Sequence, residues 1–307
     1  MKRASIDIGS NTVLLLIAEL SSEGKILKEL ENESRVTSLG KNLDKEKIFD
    51  KQSMIDTVSA IKEYRKLCDE RGITFDHLTV TATEAFRVAK NANEFSSELE
   101  SILGTKIYII NGEGEAYYTS LGVVNGASLK KDEIIIMDIG GASTELIKVQ
   151  VSPFKLIETI SLPLGAVRCS DWMREKIIDK EVDKILENFN LTPYKTKHLL
   201  CVAGSMTSLA GMIKGLKVYR GEEVNNFKIT IEDFLKFSDQ IKEKSAEELL
   251  KEYPFLGKRS KSIQGGRFIG ELISNKLEIQ LFEVSTLGLR YGTILSGGID
   301  GRFCESI

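Results

Sequence analysis

Apolar and polar positions alternate in short runs from the start of the chain. Ala4 to Ile8, Thr12 to Glu19 and Ile26 to Glu31 read as strands, joined by turn residues at Gly9-Ser10-Asn11 and Ser22-Glu23-Gly24. Strands so tightly linked predict an antiparallel meander. Ile55, Val58, Ile61 and Leu67 then recur at helical spacing, and Arg71-Gly72 supplies the basic residue and glycine that end a helix. Leu78 to Ala82 is β-rich. A helix through about Leu103, a strand over Lys106 to Ile110 and a helix opening near Glu113 complete an order βββαβαβα, which is that of an α/β domain.

The pattern then restarts. Glu133 to Met137, Thr144 to Val149 and Phe154 to Ser161 predict a second meander, with a glycine turn after Asp138. Helices follow at Val167 to Ile177 and Val182 to Phe189, and a strand from His198 to Ala203 runs into Gly204-Ser205 and another helix. The second half repeats the opening of the first, the mark of internal duplication. After Thr230 helices dominate to Lys276, with breaks expected at Pro254 and at Gly265-Gly266. Phe282 to Ser285 is a last strand-like run, leading into Gly288-Leu289-Arg290 and a C-terminal helix. At 307 residues the chain exceeds the size at which single cores stop growing, so two domains are expected.

Composition narrows the chemistry. With 42% apolar and 28% charged residues and four prolines, the chain reads as soluble and globular. The N-terminal apolar run is interrupted by charge before signal-peptide length, and no apolar stretch nears twenty residues, so a cytoplasmic location with no membrane contact is expected. Cys68, Cys169, Cys201 and Cys304 are scattered without C-x-x-C spacing, which argues against zinc and disulfides and for reduced thiols. The only histidines, His77 and His198, sit at strand entries, where a structural role outweighs a catalytic one. A net charge of −3 gives no general attraction to polyanions and makes nucleic acid a poor partner. Phosphate recognition here needs locally concentrated backbone N–H groups and a few arginines.

Such a concentration is present twice: Asp7-Ile8-Gly9-Ser10-Asn11-Thr12 and Asp138-Ile139-Gly140-Gly141-Ala142-Ser143-Thr144. Glycine lets an anion approach the backbone, Ser and Thr add donors, and the aspartate can hold a cation or its water shell. One Asp-x-Gly alone reads more readily as an ordinary hairpin turn. Two copies, each opening a meander, favour a pair of phosphate loops. A third loop, Ala203-Gly204-Ser205-Met206-Thr207-Ser208, lies where a helix N-terminus can receive phosphate or a nucleotide, and taken alone is also an ordinary strand-to-helix turn.

The chain resembles the exopolyphosphatase and guanosine pentaphosphate phosphohydrolase family, short two-domain type, within the actin, sugar-kinase and heat-shock ATPase superfamily. The resemblance rests on Asp7 to Thr12, Arg35-Val-Thr-Ser-Leu-Gly40, Ala82-Thr-Glu-Ala-Phe-Arg87, Gly112-Glu-Gly-Glu-Ala116, Asp138 to Glu145, Ser161-Leu-Pro-Leu-Gly-Ala-Val167 and Gly288-Leu-Arg290. It implies two α/β, ribonuclease H-like domains flanking a cleft: residues 1–124, rejoined by a C-terminal helix over about 293–307, and residues 125–292. The two phosphate loops are then expected to face each other across that cleft.

The resemblance also implies site roles. Glu115 matches the family's catalytic glutamate and is assigned to orient, and deprotonate, the attacking water, with Glu113 the nearest substitute. Arg87 matches the arginine that grips phosphate beside the scissile bond. Asp138 and Glu145 match acids near a magnesium ion, with Asp7 facing the same ion; oxygen-only ligands suit Mg2+ or Mn2+. Gly9, Ser10, Asn11, Thr12, Gly140, Gly141, Ala142, Ser143, Thr144, Gly204 and Ser205 are the expected phosphate contacts. Substrates implied are inorganic polyphosphate or guanosine pentaphosphate, and a homodimer is the expected assembly.

Departures from the family pattern bear on substrate identity. Ala142 stands where a third glycine is usual, Ser38 and Tyr117 where arginines are common, Tyr291 where glutamate is common, and Lys261 where an acid is usual. Lys258, Arg259 and Lys261 form either a basic rim or a solvated helix face. An ATP-using enzyme of the same superfamily, and a sensor that binds polyphosphate or an alarmone with little turnover, remain as the rival readings.

Overall fold

The computed structural model describes residues 1–126 and 132–305. The chain divides into two compact units, Met1–Asn125 with Gly288–Ile307, and Gly126–Leu287.

In the first unit, β1 (Lys2–Ile8), β2 (Thr12–Leu20) and β3 (Ile26–Val36) form the antiparallel meander. A short α1 (Leu43–Glu46) precedes α2 (Lys51–Glu70), whose N-cap Asp50 accepts a hydrogen bond from the Ser53 N–H at 3.0 Å, worth ~1 kcal/mol. β4 (Leu78–Ala82) lies parallel to β1. α3 (Glu84–Val88) and α4 (Ala92–Leu103) replace the single helix expected there. The break falls at Ala89, which adopts extended backbone; the Lys90 N–H bonds the Lys47 carbonyl, and Asn91 Oδ1 accepts the Phe49 N–H at 2.9 Å. Such pairing across the chain is invisible to periodicity. β5 (Ile107–Ile109), parallel to β4, and α5 (Gly112–Gly126) follow.

In the second unit, β6 (Glu133–Ile139), β7 (Thr144–Gln150) and β8 (Lys155–Leu162) repeat the meander. Then come α6 (Ala166–Glu175), α7 (Ile178–Leu186), β9 (His198–Val202), α8 (Ala203–Ile213), α9 (Gly221–Val224), β10 (Phe227–Thr230), α10 (Ile231–Ile241), α11 (Ala246–Glu252), α12 (Ile263–Leu277) and β11 (Leu281–Val284). The expected break at Gly265-Gly266 is absent: α12 runs through both residues. A Cβ on Gly265 would fall inside contact distance of the Ala166 carbonyl, and one on Gly266 would lie 2.7 Å from Ser205 Cβ. These glycines let α12 press against α6 and α8 rather than end it.

The chain returns to the first unit as α13 (Leu289–Ser296). This helix is shorter than the one expected over about 293–307. Gly297, at φ 75°, stops it with its N–H on the Thr293 carbonyl. The segment beyond forms a turn at Gly301–Phe303, and residues 306–307 lie outside the described residues.

Strand order is β3-β2-β1-β4-β5 in one sheet and β8-β7-β6-β9-β11-β10 in the other, so the second sheet repeats the first and adds one strand. This is the ribonuclease H-like α/β arrangement, present twice. The central strands are apolar on both faces, as Ile134-Ile135-Ile136-Met137 shows, because helices cover each side. The outer strands β3 and β8 carry Lys28, Glu29, Glu31 and Glu158 instead, which suits an uncovered edge. Each unit has its own core, built around Ile6, Leu15, Val80 and Phe86 in one and around Met137, Leu146, Cys201 and Phe282 in the other.

Candidate active site

Each Asp-Ile-Gly loop is the tip of a β-hairpin, and what surrounds it decides where its backbone points. In the first unit the Gly9 N–H closes the turn on the Thr12 carbonyl at 3.0 Å. The Ser10 carbonyl accepts the Gly40 N–H at 2.6 Å, and the Asn11 carbonyl accepts those of Thr37 and Ser38 at 3.1 and 3.0 Å. With these carbonyls engaged by the 37–40 turn, the N–H groups of Ser10 and Asn11 bond no backbone carbonyl among the described residues. They are the donors an anion would meet. Ser38 meets the loop through its backbone N–H, with φ at 56°.

The second loop is built differently. Gly140 N–H closes the turn on Ser143 at 2.9 Å, but the Gly140 and Gly141 carbonyls accept the first N–H groups of α6: Ala166 and Val167 at 2.9 Å each, and Arg168 at 3.3 Å. The loop and the helix N-terminus therefore satisfy each other. Gly165 is packed so closely that a Cβ there would fall within contact distance of the Gly141 and Ala142 backbone. Arg168 Nη1 adds bonds to the carbonyls of Ala142 (2.5 Å) and Pro163 (3.0 Å). The hydroxyls of this loop are also engaged, Ser143 with Glu145 at 2.6 Å and Thr144 with the Leu164 carbonyl, so backbone N–H groups at Gly141 and Ala142 are its offering to a ligand.

The acids differ as well. Asp138 and Glu145 are directly opposed in the β6–β7 register, which places both carboxylates on one face. Glu145 is buried, its Oε1 accepting bonds from Ser143 and from Ser161 at 2.7 Å. Two like charges opposed on one face repel, and a divalent cation is the natural partner of such a donor set. Asp7 is opposed by Leu14 instead. Its Oδ1 is shut off from solvent without a hydrogen-bond partner, and burial pushes its carboxyl up to about 6, against the pull of the Arg290 charge and a Thr81 hydrogen bond. Arg290 itself, on α13, is tied to the Leu15 carbonyl (2.6 Å) and Asn32 Oδ1 (3.0 Å). Tyr291 beside it is buried, donating to Glu29 at 2.8 Å. Among the described residues no group of three His, Cys, Asp or Glu side chains gathers as a metal cluster.

Arg87, from α3, and Glu115, from the first turn of α5, meet at 3.7 Å, both less than one-fifth exposed. Arg87 also donates to the Ile110 carbonyl. Asn111 starts α5: its Oδ1 accepts the Gly114 N–H at 2.8 Å and its carbonyl the Glu115 N–H at 3.0 Å. Glu113, two residues before, is exposed. Residues far apart in sequence thus form a carboxylate–guanidinium pair at a helix N-terminus.

At the third loop, Gly204 and Ser205 sit in the first turn of α8, and Ser205 is buried. Arg259 is not on a basic rim: its Nη1 bonds the Gly204 carbonyl (2.8 Å) and Ser208 Oγ (3.0 Å), and burial lowers its pKa. The roles of Arg168, Asn111 and Arg259 carry no local sequence signal. Ser161 and Gly165 at least lie within one of the recurring blocks.

The model of the Ppx/GppA phosphatase family matches residues 16–297. The chain belongs to the Ppx/GppA phosphatase family. The Ppx/GppA enzyme of Aquifex aeolicus is similar in structure, with 31% identity, 96% of this chain and 99% of that chain covered, and a TM-score of 0.78. An exopolyphosphatase from Cytophaga hutchinsonii, at 20% identity, with 97% and 99% covered and a TM-score of 0.80, shares the fold. A bifunctional 3-dehydroquinate synthase/phosphatase from Fusobacterium nucleatum subsp. nucleatum is 30% identical over 244 residues, 74% of this chain. The chain spans about a third of that relative's length, 36%. No helix among the described residues of this Ppx/GppA family member is long and apolar enough to cross a membrane.

Proposed function

We propose that this phosphohydrolase releases terminal orthophosphate from inorganic polyphosphate or converts guanosine pentaphosphate to tetraphosphate. The observation that carries the reading is the Arg87–Glu115 pair at the start of α5, 3.7 Å apart and largely buried. Hydrolysis of a phosphoanhydride is chiefly placement of water and neutralisation of phosphoryl oxygens. In this reading Glu115 orients the attacking water and receives its proton, while Arg87 grips the phosphate through its remaining N–H groups. The N–H groups of Ser10, Asn11, Gly141 and Ala142 receive phosphate oxygens, with no side-chain charge needed at either loop.

Asp138 and Glu145 are the residues that would hold Mg2+ or Mn2+. Such an ion supplies charge neutralisation of phosphate oxygens when bound. Asp7 has no opposing acid on its hairpin and an arginine nearby, so the reading places the ion on the opposed pair.

Orthophosphate release measured with magnesium on polyphosphate, guanosine pentaphosphate and ATP tests the proposal. Release from either of the first two is expected. Release from ATP alone would favour the ATP-using reading. Binding of polyphosphate without release from any of the three would favour a sensor.

A further inference from the structure

We infer that the segment Asp300–Glu305 positions both members of the Arg87–Glu115 pair, with Phe303 as its central residue. This rests on the reading of Glu115 as the carboxylate that orients water.

The segment lies along the edge of the first sheet. The Glu305 N–H donates to the Ile109 carbonyl and the Asn111 N–H to the Phe303 carbonyl, both at 2.8 Å, so that Cys304 pairs antiparallel with Ile110. These bonds use Ile109 and Asn111 and leave the Ile110 carbonyl on the opposite edge, where Arg87 takes it. Holding Ile110 from one side fixes the anchor of Arg87 on the other. Asn111, gripped by Phe303, in turn caps Gly114 through Oδ1 and starts the turn that carries Glu115.

Side-chain packing enforces the same geometry. Phe303 is buried, with its ring 5.0 Å from that of Tyr117 and 5.7 Å from that of Tyr118. A Cβ on Gly114 would lie 2.6 Å from Phe303 Cβ, so the first turn of α5 has no free space on this side. The Asp300 N–H donates to Tyr118 Oη at 2.8 Å and fixes the start of the segment. Asn111 and Phe303 act through the two residues they place.

The test is steady-state polyphosphate hydrolysis and polyphosphate binding by the full chain carrying Phe303→Ala, Phe303→Leu or Asn111→Ala, with Glu115→Gln alongside. A positioning role predicts that Phe303→Ala lowers kcat about 10- to 100-fold with KM within about twofold. Phe303→Leu, which refills the space, should recover kcat to within about threefold of the parent. Asn111→Ala keeps the aromatic packing and removes the cap, and should lower kcat about tenfold; it decides the matter if Phe303→Ala does not fold. Parental kcat in a folded Phe303→Ala or in Asn111→Ala, with Glu115→Gln inactive, would overturn the inference and leave the role of Glu115 standing. Parental kcat in Glu115→Gln would remove that role and the inference with it.

Discussion

The hairpins tipped by Gly9 and Gly140 share a motif, a turn hydrogen bond and a place in their sheets, yet they are held and charged differently. The first rests on a turn, Thr37 to Gly40; the second rests on the N-terminus of α6. The first opposes its aspartate with Leu14, the second with Glu145. The two hairpins thus share the part that presents backbone N–H groups and differ in the remainder. The direction in which such a loop presents its N–H groups depends on where its carbonyls go. Once they are satisfied on one side, the N–H groups face the other, whichever element does the satisfying. Charge differs as well, two opposed acids on one hairpin and a buried carboxyl beside an arginine on the other.

The largest expected contrast lies in the acids. Asp138→Asn and Glu145→Gln should each lower kcat about 100-fold or more and weaken Mn2+ binding, read by titration calorimetry, at least about tenfold. Asp7→Asn should leave Mn2+ affinity within about threefold of the parent. Equal loss of Mn2+ affinity in Asp7→Asn would erase the proposed asymmetry.

The buttresses come next. Gly165→Ala drives a methyl into the backbone of the second loop, whereas the Cβ of Gly40→Ala would lie 3.0 Å from Ser10 Cβ and 3.2 Å from the Ser10 carbonyl oxygen, a milder crowding. We expect kcat/KM to fall about 30-fold in the first and about threefold in the second. Comparable losses would show that the two supports are equally tight.

A smaller effect separates the hairpins by pH. The Asp7 carboxyl sits at about 6 in the folded protein against an ordinary 3.8, so the folded state binds this proton more tightly than the unfolded chain. Stability therefore rises as pH falls from about 6 toward 3.8, and the penalty is complete above 6. In chelator-treated protein, Asp7→Asn should stabilise by ~1–3 kcal/mol at pH 7.5 and by little at pH 4, read from denaturant unfolding. Destabilisation at pH 7.5 would contradict the burial argument.

Much of this architecture was legible in the residue pattern. Short alternating runs between glycine turns located β1, β2, β6 and β7 to within a few residues, and the repeated Asp-Ile-Gly marked the hairpin tips. The failures share a cause. Gly265 and Gly266 look like a helix break because the close packing of α12 on α6 and α8 is set by residues distant in sequence. The interruption between α3 and α4 depends on Lys47 and Phe49, and the end of α13 on a left-handed Gly297. β10 is a single short strand whose partner, β11, comes much later in the chain. Asp138, Glu145, Arg87 and Glu115 stand in local motifs. Gly165 against Ala142, Arg259 against Gly204 and Phe303 against Gly114 are contacts between distant segments, with no pattern of their own to read.

In the proposed reading the Asp-Ile-Gly loops bind phosphate and Glu115 turns binding into hydrolysis. Orthophosphate release and equilibrium polyphosphate binding, measured on Glu115→Gln at one magnesium concentration, separate the two. Release should fall by about 1,000-fold or more while the dissociation constant stays within about threefold. Release at the parental rate, or loss of binding equal to the loss of rate, would contradict that reading.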